Sequence, residues 1–201
     1  MIPSIIKLAI ITYFMCILNA QAEGITVSKA ESRLVEEGYE IVADFKITLP
    51  PTIEDALKRG VALNFVSDLV VTRSRWYWFD SSVIQNEQQT KLSYNALTQQ
   101  YRISKGTLFQ GFPDLESALR VLGRQSSKPV PIEALGGGSG YVARLLRSEA
   151  KFTGSVQMKL DTSQLPKPLQ VNALTNSDWT LESEKYSWQI QQKQADGAQK
   201  P

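Results

Sequence analysis

The sequence predicts a mainly β protein: a two-layer antiparallel β-sandwich, for which an immunoglobulin-like arrangement is one form, with two or three short helices. Three observations lead there. Residues 39–49 alternate apolar and polar side chains with a period of two, residues 152–160 do the same, and prolines and glycines punctuate the intervening chain at short intervals. With 201 residues, 42% hydrophobic and 21% charged, the composition is that of one globular domain. The expected division is a signal peptide over 1–22, one sandwich domain over 23–190 and a disordered tail over 191–201.

The leader reads from "MIPSIIKLAIITYFMCILNAQAEG": a single positive residue, Lys7, an apolar run from Leu8 to Leu18, then Ala20-Gln21-Ala22. Charged, apolar and small residues in that order form a secretory signal, with cleavage expected after Ala22 and a periplasmic destination. The alternative is an uncleaved N-terminal anchor, but Lys7 interrupts the apolar stretch, which falls short of the roughly 20 residues a spanning helix needs. Cys16, the one cysteine, follows the large Met15, where a lipoprotein signal requires a small residue. The exported chain is therefore expected to contain no cysteine, which a domain of this size tolerates.

Along the exported part, "GITVSKAESRLVEEG" and "YEIVADFKITLP" form a hairpin turning at Glu37-Gly38, in which Tyr39, Ile41, Ala43, Phe45, Ile47 and Leu49 share one face. Pro50-Pro51 ends it. A short helix follows, with Thr52 and Asp55 resembling an N-cap and its reciprocal partner and Gly60 as the stop. The next stretch, from Val61 to Ser82, is too long for one ordinary strand, and its apolar phase weakens at Ser67-Asp68, where a bend or bulge is expected. "KLSYNALTQQYRISKG" gives a second hairpin turning near Asn95-Ala96.

"FPDLESALRVLGR" is the clearest helix: Pro113 or Asp114 starts it, Leu115, Ala118, Leu119 and Leu122 recur at helical spacing, and Gly123 stops it. "GGGSG" at 136–140 lacks the Gly-Lys-Ser/Thr of a phosphate loop, since Tyr141 follows, and reads as a connector. "YVARLLRSEA" is helix or strand, with Arg144 and Arg147 on a solvated face. In "KFTGSVQMKLD", Phe152, Val156, Met158 and Leu160 face one way. "LPKPLQVNAL" reads as an extended proline crossover leading into a strand from Leu169, and "DWTLESEKYSWQI" as one or two closing strands.

The densest aromatic run is "RSRWYWFDSS". As a strand it sends Arg73, Arg75, Tyr77 and Phe79 to one face and Trp76, Trp78 and Asp80 to the other. Trp76 and Trp78 are expected in the core. Arg73, Arg75, Tyr77 and Phe79, with Arg102 joining from the neighbouring hairpin through cation–π contact, are the candidate binding row.

Chemistry is narrowed mainly by exclusion. The chain has no histidine, which removes histidine-dependent nucleophile systems, a histidine general base and zinc sites of the usual Cys/His type. No acidic cluster has calcium-loop spacing, so no metal and no cofactor is expected. The formal net charge of +2 is too small to imply nucleic-acid binding.

The segments "RWYWFD", "LSYNALTQQYRIS", "LDTSQLPKPLQVNAL" and "SDWTLESEKYSW", in this order, resemble a proteobacterial family of exported proteins of unknown function. The resemblance implies a periplasmic, strand-rich domain and carries over no catalytic residue. Genes of such proteins neighbouring a membrane sensor kinase of the nitrogen-regulation type would imply a role in envelope signalling, with the periplasmic region of that kinase as a partner.

Two function classes follow. The first is a non-catalytic periplasmic binding or interaction module. The second is a carboxylate-dependent envelope enzyme, for instance one acting on glycans, for which Asp80 and Asp178, each beside a tryptophan, are the pair to examine.

Overall fold

A computed structural model describes residues 24–73, 81–129 and 152–190. The leader, the Arg75 to Asp80 part of the aromatic run, the "GGGSG" and "YVARLLRSEA" segments and the tail lie outside the described residues.

The chain is mainly β, and two antiparallel sheets face each other. Strands β1 (Gly24–Val35) and β2 (Gly38–Thr48) form the first hairpin. Its two-residue turn is Glu36-Glu37, one residue earlier than expected, and Gly38 follows it already paired to Val35 at a φ of 136° that is closed to most side chains. The short strand β7 (Arg124–Ser126) pairs with β2 on the other side, giving a sheet of order β1-β2-β7. The larger sheet comprises a meander of β3 (Leu63–Arg73), β4 (Ser81–Asn95), β5 (Gln100–Lys105) and β6 (Leu108–Phe112), extended beyond β3 by β8 (Phe152–Leu160) and β9 (Tyr186–Ile190), in the order β6-β5-β4-β3-β8-β9.

The alternation read from the sequence is what joins the sheets. Tyr39, Ile41, Ala43, Phe45 and Ile47 of β2 are all buried, as are Phe152, Val156, Met158 and Leu160 of β8, and they belong to one hydrophobic cluster with Phe65, Leu69, Val71 and Leu92. Helices close the layers. Ile53 and Leu57 of α1 (Pro51–Lys58) and Ala118 and Leu122 of α2 (Leu115–Gly123) are buried in the same cluster.

Several local expectations are corrected. The N-cap of α1 is Pro50 and the first helical residue is Pro51, whose missing N–H is no loss in a first turn; Thr52 sits inside the helix and donates its hydroxyl to Asp178 instead. Strand β3 runs unbroken through Ser67-Asp68, because Ser67 is small enough to keep its place in the buried row of Leu63, Phe65, Leu69 and Val71; the register shift falls between Val71 and Thr72. Asp114 caps α2 by accepting from the Ser117 N–H at 2.7 Å, which holds its carboxyl below the usual carboxylate range. Gly123 is the last residue of α2 rather than a left-handed stop. It is required by packing, since a methyl there would overlap the Phe45 carbonyl oxygen.

The largest correction concerns Lys167–Ala173, which is helix α3 and not an extended crossover into a strand. Pro166 is its N-cap and Pro168 lies in the first turn, where proline is tolerated. Leu169 and Ala173, four apart, pack on the core, whereas Val171 and Leu174 stay exposed. The closing region contributes one strand, β9, preceded by an isolated bridge between Lys159 and Glu182. Trp179, in a 3-10 turn, is the largest fully buried side chain among the described residues.

Candidate functional site

The predicted binding row is not assembled as expected. Arg73 ends β3 and pairs across Ser81, while Arg102 in β5 pairs across Ser93, twelve residues farther along β4. At strand rise this separates the two by roughly 40 Å. Arg102 instead stacks on its own hairpin, with Cζ 4.9 Å from the ring centroid of Phe109. Arg75, Tyr77 and Phe79 lie outside the described residues. Of the proposed carboxylate pair, Asp80 is also outside them, and Asp178 is engaged structurally: its carboxylate accepts from Thr52 at 2.7 Å, and its N–H donates to Asn176 Oδ1 at 2.9 Å.

The structure offers a different site. The inward row of β4 is apolar at Leu92, which is buried under the helices, but becomes polar toward Thr90 and Gln88. There, past the C-terminal end of α2, lies a cleft of about 250 Å³ whose walls include Thr90, Lys105, Gln110, Gln125 and Arg124. Leu108, Phe109 and Val121 form an apolar rim, with Leu108 77% and Phe109 69% exposed.

Two features of the cleft depart from ordinary packing. Thr90 is 4% exposed, yet its Oγ1 has no hydrogen-bond partner among the described residues; the buried Oε1 of Gln88, two residues away on β4 and outside the cleft lining, is in the same condition. Buried polar groups are normally paired, and leaving one unpaired costs about 1–3 kcal/mol. Lys105 keeps much of its side chain open to solvent, but its ammonium reaches Gln125 Oε1 at 3.3 Å, and burial at that end lowers its pKa. No carboxylate lines this cleft among the described residues. It presents two cations, a hydroxyl and amides beside an apolar rim.

A larger groove of about 560 Å³ lies on the other side of α2, between that helix and the β1–β2 hairpin, and Arg124 lines both. Its charges are of both signs: Asp44 and Glu116 with Lys46 and Arg120, the last already paired to Glu116 at 2.8 Å. The smaller cleft therefore carries the more directed chemistry.

On the outer face of the large sheet, Asp68 of β3 sits directly across from Glu87 of β4. Burial first, and the Glu87 charge second, push its carboxyl above the usual range, while Lys159 opposes the shift. No group of three or more metal-ligating side chains occurs among the described residues, nor does any helix long and apolar enough to cross a membrane.

None of the cleft residues was singled out by the sequence reading. The available signal was phase: in "QQTKLSY", Gln88 and Thr90 fall on the same parity as Leu92, so polar groups were bound to face inward.

Fold and cleft together define an open-edged β-sandwich with a small polar, cationic cleft at the end of one helix. Residues 22–189 match the family described as a domain of unknown function (DUF4390), and the chain belongs to it. No curated protein and no solved structure matches the chain.

Proposed function

We propose that the chain is an exported, non-catalytic binding module of the cell envelope that holds an anionic ligand with an apolar portion in the cleft between β4–β6 and the end of α2. The observation that carries this is that the unpaired Thr90 hydroxyl and the Lys105 ammonium belong to one cleft that no described carboxylate lines. Such groups are costly to the fold alone and become satisfied when an anion accepts from them. The signal-like leader supports the envelope location, and the absence of histidine argues against most acid–base catalysis.

Thermal-shift screening of the exported chain against envelope glycans, acyl carboxylates and peptides tests the reading. An anionic amphiphile should raise Tm by mass action, and Lys105→Met should remove that gain. Stabilisation by neutral sugars alone, or full retention in Lys105→Met, would contradict it.

A second reading, a carboxylate-dependent enzyme, is favoured by one observation, the apposed Asp68 and Glu87. It requires that glycan fragments be cleaved and that Asp68→Asn abolish the cleavage.

A further inference from the structure

Among the described residues, the β5–β6 hairpin has an edge that faces no other strand. Gly106, at φ 58°, and Thr107 make a two-residue turn, so Lys105 and Leu108 face each other across it. Antiparallel pairs alternate between hydrogen-bonded and non-bonded. Counting from the turn, Leu108, Gln110 and Phe112 turn their backbone groups toward β5. Phe109 and Gly111 therefore turn theirs to the free edge.

That edge is undefended. Strand β6 reads Leu-Phe-Gln-Gly-Phe, with no charge and no proline, and its first four residues are exposed. An exposed, uncharged apolar edge is a template for pairing with another strand.

Its chemistry is also self-complementary. When two copies pair antiparallel about Gln110, Phe109 of each copy falls opposite Gly111 of the other. Those are the two residues whose N–H and C=O groups face outward, so the register satisfies both on both copies. A phenylalanine opposite a glycine also covers exposed backbone on that face. Charge agrees with the same register: Lys105 lies across from Leu108 at one end of the strand and Asp114 just past the Phe112 end, and antiparallel pairing sets each end against its opposite, while Arg102 sits across from Gly111.

We propose that the β6 edge docks a second copy of this chain, forming a twofold dimer through antiparallel β6–β6 pairing centred on Gln110. The pairing is isologous, as a closed dimer requires. Five-residue strands bury less area than a standard stable interface, so the dimer is a weak one. The pairing shares Leu108, Phe109 and Gln110 with the rim and wall of the cleft, but it requires no ligand there.

Sedimentation equilibrium of the exported chain from about 10 μM to 1 mM should show concentration-dependent dimers. Phe109→Lys should weaken the association about tenfold or more by placing like charges across the axis; Phe109 is exposed, so the fold is retained. A chain that remains monomeric throughout overturns the proposal and leaves the edge to a different protein. The register has its own test, because the exported chain carries no cysteine. Gln110→Cys should form an intermolecular disulfide under mild oxidation, since non-bonded pairs bring Cα atoms close enough. Leu108→Cys, displaced from the axis, should cross-link far more slowly. Equal cross-linking at both positions overturns the Gln110-centred pairing.

Discussion

Two edge strands of this molecule, β1 and β6, meet the same physical problem and are built in opposite ways. Among the described residues, each has one paired side and one free side. Strand β1 is guarded: Lys29, Glu31 and Arg33 alternate along it, Lys29 Nζ lies 2.9 Å from Glu31, Arg33 Nε donates to the same carboxylate at 2.6 Å, and a register shift interrupts the strand between Val27 and Lys29. Charges and irregularity are how sheets discourage unwanted pairing. Strand β6 has neither, and it borders the cleft where polar groups go unpaired. An edge left open beside an unsatisfied cleft is what the proposed binding and dimerisation would use.

The largest expected effect comes from removing the wall behind the β6 region. Gly123→Ala forces α2 away from the Phe45 carbonyl, and α2 carries Val121 of the cleft rim. It should destabilise the fold by about 2 kcal/mol in urea denaturation, typical of overpacking, and abolish ligand-induced stabilisation. Phe109→Lys comes next. It should leave Tm nearly unchanged while weakening self-association about tenfold, which makes β6 resemble β1.

Lys105→Met should raise stability slightly at neutral pH while weakening anion binding, as expected of a residue retained for binding. The sign follows from its lowered pKa: the unfolded chain takes up this proton first as pH falls. The contribution of Lys105 is therefore greatest above the unfolded value of about 10.4 and is lost as pH drops through the folded one. A pH titration of stability for wild type and Lys105→Met should differ in that alkaline window.

The smallest effect is at the guarded edge. Hydrogen bonds from Lys29 and then Arg33 lower the pKa of Glu31, so its stabilisation is present above the ordinary glutamate range and fades as pH falls through the folded value. Being exposed, the contribution is slight and declines with salt. Glu31→Gln should barely alter Tm, and its measurable consequence should be slower exit from aggregates formed on heating.

The fold was more legible than the site. Period two at 39–49 and 152–160, and the capped amphipathic helix at 115–123, were visible because burial on one face writes itself into neighbouring residues. At 166–173 the sequence is ambiguous: Pro166 and Pro168 suit an extended chain as well as a helix start, and only the packing of Leu169 and Ala173 on the core decides. The cleft was hidden for another reason. Its residues come from β4, β5, β6, β7 and α2, and each is ordinary in its own segment. The aromatic run drew attention by composition, which does not report which residues tertiary structure brings together.

Amide hydrogen exchange tests the contrast between the edges most directly. The Phe109 and Gly111 N–H groups face the free edge of β6, so they should exchange rapidly in dilute protein and become protected as concentration rises, while exposed amides on the free side of β1 stay unchanged at every concentration. Concentration-independent exchange at Phe109 and Gly111, or protection that appears at β1 instead, would contradict the account.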